Sequence, residues 1–316
     1  MTTEPAPERR VATAARLLAA ATGDRLRRGF PLARLTSFRL GGPAALYLEA
    51  ETDGDLAAAS AAVAESGVPW TVIGKGSNLL VSDRGFPGLV LRLGKGFRWA
   101  GRDGVRLLAG GAMPLPALAG VGLTHSLAGL EFGVAIPASL GGAVRMNAGA
   151  HDHSVSEVLE SIEVYSIPGG SRSMVRASDA GFAYRRSSLP DGSVVIGAVA
   201  KLRPGHPDAI RAEMEAARSW RRATQPLAEP NCGSVFKNPL GDHAARLVEA
   251  AGGKAMSVGG AEVSPKHANF IVARPGATAE DVHRLILRVQ QVVEDRFGVR
   301  LETEVQHVGD FDLASI

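Results

Sequence analysis

The stretch from Glu131 to Gly149, EFGVAIPASLGGAVRMNAG, constrains this chain more than any other. Glycine recurs through it, one proline interrupts it, and it carries almost no charge. Glycine permits positive φ and lets another molecule approach the backbone closely. Asn147 lies between Met146 and Ala148, two residues before Gly149, where a side-chain amide could hold a loop or a ligand. An uncharged loop rich in backbone N–H groups suits a pyrophosphate nest. An isolated Gly-Gly is more often a structural turn between strands, so the stretch needs a second signal.

A second loop supplies it. Trp70-Thr-Val-Ile73 reads as a short buried strand, followed by Gly74-Lys-Gly76-Ser77-Asn78. The dinucleotide fingerprint needs a third glycine where this chain has Leu79, and a helix after it. Here Leu79-Leu80-Val81 continues as a strand, so GKGSN reads as a phosphate-contacting turn between strands. Gly94-Lys95 is not a P-loop, since no glycine precedes it by five residues and no Ser or Thr follows.

Six segments occur in order: Thr36-Ser-Phe-Arg-Leu-Gly-Gly-Pro-Ala44, GKGSNLL at 74–80, IPASLGGAVRMNAGA at 136–150, Tyr184-Arg185-Arg186-Ser187, Gly233-Ser234-Val-Phe-Lys237-Asn238-Pro239, and Leu301-Glu302-Thr303-Glu304-Val305. The two loops resemble the paired phosphate loops of vanillyl-alcohol-oxidase-like flavoproteins. Together the six resemble the UDP-N-acetylmuramate dehydrogenase family, also called UDP-N-acetylenolpyruvoylglucosamine reductase or MurB. The resemblance runs from about residue 30 to 309.

The composition is ordinary for a soluble globular protein. A length of 316 residues suggests about two domains. The 45% hydrophobic and 21% charged fractions are ordinary for a globular chain. The net charge of +3 comes without a long basic run, and aromatic residues are only 5%, so no nucleic-acid partner is expected. The single cysteine, Cys232, makes no internal disulfide and no CxxC pair. The start, MTTEPAPE, is unlike a signal peptide, and no run of about 18 apolar residues suggests a membrane span. A cytoplasmic monomer is expected.

Along the chain, residues 1–8 read as a loose tail and 9–22 as a short helix. Thr36–Ala44 reads as a strand turning at Gly41-Gly42, and Leu46–Ala50 as a strand. Asp55 is expected to cap an Ala-rich helix ending near Gly67. Strands are expected at Leu89–Leu93, Val105–Ala109, Val158–Tyr165 and Val194–Leu202, with a helix over Pro114–Ser126. Arg203–Pro207 reads as a linker before a helix over Asp208–Arg222. Ala244–Ala251 reads as a helix with Gly252 at its C-cap, and Asn269–Ala273 as a strand. Thr278 caps the last helix, whose core stripe is Val282, Leu285, Ile286, Val289, Val292 and Val293, and Gly298 ends it.

With the resemblance, this order implies an α+β chain. Its parts are an N-terminal tail and helix (1–29), an FAD-binding fold of the vanillyl-alcohol-oxidase type with two α+β subdomains (30–203), a smaller α+β substrate domain (204–302) and a tail returning to the flavin domain (303–316). The resemblance implies noncovalent FAD, NADPH as co-substrate and UDP-N-acetylglucosamine-enolpyruvate as substrate. It assigns the cofactor to Gly74, Lys75, Gly76, Ser77, Asn78, Leu79, Pro137, Ser139, Gly141, Gly142, Asn147, Ala148, Gly149 and Ile196. It assigns the substrate to Tyr184, Lys237 and Asn238.

It also implies three catalytic residues. Arg185 matches the YRxS arginine, and a guanidinium keeps its charge and clamps a carboxylate with two bonds; by itself it would read as a surface ion pair. Ser234 matches the family's proton donor, a role a serine fills when the developing carbanion is strongly basic and the site preorganised; by itself it would read as a turn residue. Glu304 matches the second glutamate of LExEV and is expected protonated, its pKa raised by burial and by the substrate's charge. Glu302, on a strand, would face the other way. Cys232 lacks a histidine partner and reads as a buried thiol. Two departures stand out. His151-Asp152-His153 replaces an aromatic-glycine pair; it reads as a solvated loop rather than a metal site. Only Ser188–Ser193 separates YRxS from the next strand, leaving no room for an inserted tyrosine loop, as in a shorter class of the family.

Overall fold

The computed structural model describes residues 6–312. The loose tail expected over 1–8 lies outside them up to residue 5, and Pro7 already opens a helix, Pro7–Thr22. Contacts divide the chain into two compact units: 1–29, 45–75 and 87–220 form the first, and 30–44, 76–86 and 221–316 the second. These units do not follow the expected domain limits, because segments 30–44 and 76–86 group with the C-terminal third.

The first unit mixes helices with two larger sheets. One orders Leu26–Pro31, Pro43–Ala50, Phe86–Leu93 and Trp70–Val72. The other orders Arg172–Arg176, Leu159–Ser166, Ser193–Lys201, Arg106–Gly110 and Ala100–Asp103. Ser193–Lys201 is its central strand, buried almost throughout, as a strand covered on both faces must be. Leu46, Leu48, Leu56, Leu89, Leu91 and Ile196 fill one core, and Leu107, Leu118, Phe132, Val144 and Ile162 another.

The Ala-rich helix is Asp53–Ser66. Its N-cap is Thr52, not Asp55: Thr52 Oγ1 accepts from the Asp55 N–H at 3.2 Å and Asp55 Oδ2 from the Thr52 N–H at 3.0 Å. This is a capping box with aspartate at the third position. Gly67 closes the helix at φ 64°.

Three other expectations change. Thr36–Gly42 is a run of turns, and the strand starts at Pro43; the Thr36 hydroxyl donates to the Leu40 carbonyl at 2.9 Å, a local bond that competes with strand pairing. The 203–207 linker begins as a short strand, Arg203–Pro204, antiparallel to Leu127–Ala128. The 131–150 loop holds a helix, Leu140–Arg145, with Ser139 as N-cap.

In the second unit, a three-stranded antiparallel sheet orders Ser257–Val258, Ala261–Val263 and Ile271–Ala273. The helix Ala279–Phe297 lies against it. Its capping box at Thr278 and left-handed Gly298 (φ 66°) agree with the sequence reading. Of the expected stripe, all but Val292 are fully buried. Each such side chain contributes about 1.5–3 kcal/mol of hydrophobic stabilisation. Helix Ala244–Ala250 is capped by Ala251, with Gly252 one residue later at φ 79°. Gln306–Val308 runs parallel to Leu79–Val81, with Gln306 opposite Leu79. No helix among the described residues is long and apolar enough to cross a membrane.

Candidate active site

In the first unit the two loops meet. Gly74, Lys75, Ser139, Gly141, Gly142 and Arg145 line one cavity of about 490 Å³, together with Trp70–Ile73, Gly111, Val194 and Val195. The backbones approach closely, and at Gly141, which faces backbone, closely enough to require glycine. A Cβ on Gly74 would lie 2.5 Å from Ser139 Oγ, and one on Gly141 would lie 2.8 Å from the Val195 carbonyl oxygen. Most N–H groups of the 139–149 segment are already engaged, among them Leu140 to Met113 (2.7 Å), Gly141 to Gly111 (2.8 Å), Gly142 to Ser139 Oγ (3.4 Å) and Ala148 to Ala143 (2.8 Å). Pro137 is exposed. Ile196 is buried in the core, and its carbonyl accepts from Gly111 N–H at 2.7 Å.

Asn147 is buried at φ 43°. Its amide N–H donates to the Ala183 carbonyl at 2.9 Å, and its oxygen accepts from Ser156 N–H at 3.2 Å. It therefore holds a loop. Ala183 pairs with Arg186 across a tight turn, Tyr184-Arg185, with Arg185 at φ 53°. The Arg185 guanidinium donates to the Gly149 carbonyl at 2.8 Å and lies 5.0 Å from the Tyr184 ring centroid. Asn147, Ala148, Gly149, Tyr184 and Arg185 are thus one connected corner. Arg186 is exposed. His151 packs edge-on to Trp220 (5.0 Å), and His153 pairs with Glu157 (2.8 Å).

Arg145 is a residue the sequence reading passed over. It donates to the carbonyls of Leu189 (2.9 Å) and Ser193 (2.5 Å), pinning the segment after YRxS to the cavity wall. Burial lowers its pKa from the usual arginine range. The only sequence signal was a lone arginine in an uncharged loop.

The second unit holds Gly76, Ser77, Asn78, Leu79, Ser234, Lys237, Asn238 and Glu304. Gly76 sits at φ 64°, and a Cβ there would meet the Leu35 carbonyl at 1.9 Å. Asn78 donates to the Glu304 carbonyl at 3.0 Å. The chain bends at Val235, and Phe236 makes an isolated bridge. One edge is clasped by 302–304: Lys237 N–H donates to the Glu302 carbonyl (2.9 Å), Glu304 N–H donates to the Val235 carbonyl (2.8 Å), and Phe236 bridges Thr303. Ser234 and Glu304 are thereby held in neighbouring segments. Among the described residues nothing bonds the Ser234 hydroxyl.

The 301–305 segment is no regular strand, so alternation does not decide between its glutamates. Glu302 is exposed and pairs with Lys237 at 2.5 Å. Asn238 accepts from Ala244 N–H at 3.1 Å at the start of a helix. Cys232 is buried, and burial, then the charge of Glu304, push its thiol well above the usual range. It stays a thiol, not a nucleophile.

A glycine-walled cavity under a buried strand is joined in one chain to a second α+β unit presenting a serine and a glutamate. Residues 44–173 match the model of the FAD binding domain, so the chain is a flavoprotein of that fold. Residues 225–308 match the C-terminal domain of UDP-N-acetylenolpyruvoylglucosamine reductase. The reductase of Heliobacterium modesticaldum is 44% identical over 282 residues, 89% of this chain and 90% of that one. That of Methylorubrum extorquens is 44% identical over 279 residues, 88% and 90%. The crystal structure of the Thermus caldophilus reductase (MurB) superposes with a TM-score of 0.79 at 34% identity, covering 90% of this chain and 99% of that one. The chain belongs to the UDP-N-acetylenolpyruvoylglucosamine reductase family.

Proposed function

We propose that this FAD-containing oxidoreductase reduces the enolpyruvyl group of UDP-N-acetylglucosamine-enolpyruvate to UDP-N-acetylmuramate, with NADPH as reductant, in peptidoglycan precursor synthesis. The observation that carries the reading is the clasp that ties the Ser234 segment to the Glu304 segment, in a chain with reductase relatives along its length. Functionally we keep residues 30–203 as the flavin half and 204–302 as the substrate half; the family models at 44–173 and 225–308 support this division. The second of them extends into the 303–316 tail.

The cavity suits the cofactor's phosphates, because backbone of the two glycine loops lines it and Lys75 and Arg145 bring positive charge to its wall. The residues that would hold FAD are Gly74, Lys75, Gly76, Ser77, Asn78 and Leu79 on one loop. On the other they are Pro137, Ser139, Gly141, Gly142, Asn147, Ala148 and Gly149, with Ile196 on the strand. The Gly74–Ser77 N–H groups, which bond to no described residue, are the donors for the pyrophosphate. Bound FAD would supply the hydride chemistry that links NADPH to C3 of the enolpyruvyl group. Arg185 faces the substrate carboxylate, where negative charge develops. Ser234 Oγ gives the proton to C2. Glu304, protonated, donates a hydrogen bond to the same charge. Tyr184, Lys237 and Asn238 orient the nucleotide sugar. The enzyme works as a cytoplasmic monomer with noncovalent FAD, which gel filtration and acid precipitation of the yellow protein would test.

The deciding experiment is anaerobic stopped flow. NADPH should bleach the flavin absorbance, and the enolpyruvyl nucleotide sugar should restore it. Bleaching that this substrate cannot reverse would sink the assignment.

A further inference from the structure

We propose that Asn269 is a positioning residue that sets the place of the Ser234 hydroxyl, an inference that rests on Ser234 being the proton donor. Asn269 is a polar side chain only 4% exposed, in the core between the catalytic segment and the sheet. Its oxygen accepts from the Phe236 N–H at 2.9 Å, and its amide nitrogen donates to the Phe236 carbonyl at 2.8 Å. Its own carbonyl accepts from the Val235 N–H at 2.9 Å. One residue thus takes three backbone groups of the two residues that follow Ser234.

A side-chain amide has the donor and acceptor of a peptide group. Asn269 therefore acts as a one-residue strand along the edge of Val235–Phe236 that residues 302–304 leave open. The catalytic segment is gripped from both sides: by Asn269, and by the clasp that carries Glu304. His267 adds the next layer, its Nδ1 accepting from Asn269 N–H at 3.2 Å. Burial lowers the His267 pKa, which keeps that nitrogen an acceptor at neutral pH. With both edges fixed, Val235 cannot rotate or slide, and Ser234 inherits its position. A displacement of about 1 Å can cost on the order of 100-fold in rate.

An aspartate here is nearly isosteric but, ionised, has no donor and repels the Phe236 carbonyl. Protonated, it regains one. Burial raises a carboxyl's pKa, so the defect should be relieved by acid.

The test uses the FAD-loaded enzyme under anaerobic conditions. Asn269→Asp should be bleached by NADPH at nearly the parent rate. Its reoxidation by UDP-N-acetylglucosamine-enolpyruvate should be about 10–100-fold slow, and that deficit should shrink as pH falls from about 8 to about 6. Without substrate, hydrogen–deuterium exchange of residues 233–238 should rise at high pH and fall back at low pH. Combined with Ser234→Ala, the substitution should slow reoxidation little further, because a hydroxyl that is absent cannot be misplaced. Equal slowing of both half-reactions, or a full further loss in the double variant, would overturn the proposal. Should Asn269→Asp not fold, Asn269→Ser should show the same half-reaction split and lack the pH rescue; an even slowing there also overturns it. The underlying reading fails separately: Ser234→Ala alone would then reoxidise at the parent rate.

Discussion

The loop around Gly141 and the segment around Ser234 are held by opposite means. The first is braced by its own backbone and by a nearby hairpin: Ala148 N–H bonds to Ala143, Asn147 N–H to Val144, Gly141 N–H to Gly111. Its tight contacts are made where side chains are missing. The second is an irregular run, residues 234–239, that contains no glycine. It is braced by Asn269, 33 residues from Phe236, and by residues 302–304. A site for a fixed phosphate can be written locally with glycines. A proton donor that must meet one carbon of a substrate is held from two distant sides.

The sharpest test of this contrast removes the hydroxyl. Ser234 has work only after hydride reaches C3, so Ser234→Ala should bind FAD and be bleached by NADPH at nearly the normal rate. Its reoxidation by the enolpyruvyl nucleotide sugar should fall by about 10²–10⁴-fold, the usual worth of a placed proton donor. Ser234→Cys should regain part of the loss. Equal slowing in both half-reactions would make Ser234 a shaping residue and erase the distinction between the regions. Unchanged reoxidation would hand the proton to Glu304.

The same contrast explains what could be read from sequence. The helix Ala279–Phe297 was legible to both ends, because Thr278, Gly298 and the apolar stripe are local signals. The paired loops were legible because glycine marks the close approach. The turn at Thr36–Gly42 was misread as strand, since only the threonine-to-Leu40 bond reveals it. The helix at Leu140 was hidden by its two glycines, poor helix formers that are tolerated for the close approach of Gly141 to Val195. Asn269 gave no signal at all: its partners lie on a segment that sequence periodicity does not connect to it.

Asn147 offers a test with a smaller effect. Its amide, which could hold a loop or a ligand, is bonded at both ends to the chain, so its part in holding FAD should run through the loop it braces. Asn147→Leu leaves the Ser156 N–H without its acceptor and takes one of two donors from the Ala183 carbonyl, which keeps the Arg186 N–H. Both groups are only part-buried, so the cost should be about 1 kcal/mol, at the low end for a lost hydrogen bond. It also puts a branched side chain at φ 43°. The FAD-free protein should lose melting temperature, with flavin occupancy falling alongside. Asn147→Asp, which keeps the acceptor for Ser156, should lie between. Lost occupancy at an unchanged melting temperature would mean that the amide touches the flavin directly, and the glycine loop would no longer be self-braced.

The smallest effect concerns the far end of the Glu304 clasp. His307, three residues on, lies on the strand paired with Leu79–Val81, and its Nε2 is 3.2 Å from His283 Nδ1. Burial, then the charge of His283, push His307 down to about 4; burial also lowers His283. The unfolded chain takes up its proton near pH 6.5, the folded one near 4. Between those values the unfolded state binds more protons, so stability falls as pH falls through this window. The ring is partly in water, which keeps the loss modest. His307→Gln should flatten the decline of melting temperature between about pH 6.5 and 4 by about 1–2 °C, leaving the value near pH 8 almost unchanged. Reoxidation should feel the same protonation, because the strand carrying His307 continues directly from the segment that holds Glu304, whereas bleaching by NADPH should not. A parallel loss of both half-reactions in acid would place the weak point elsewhere and remove the clasp from the comparison.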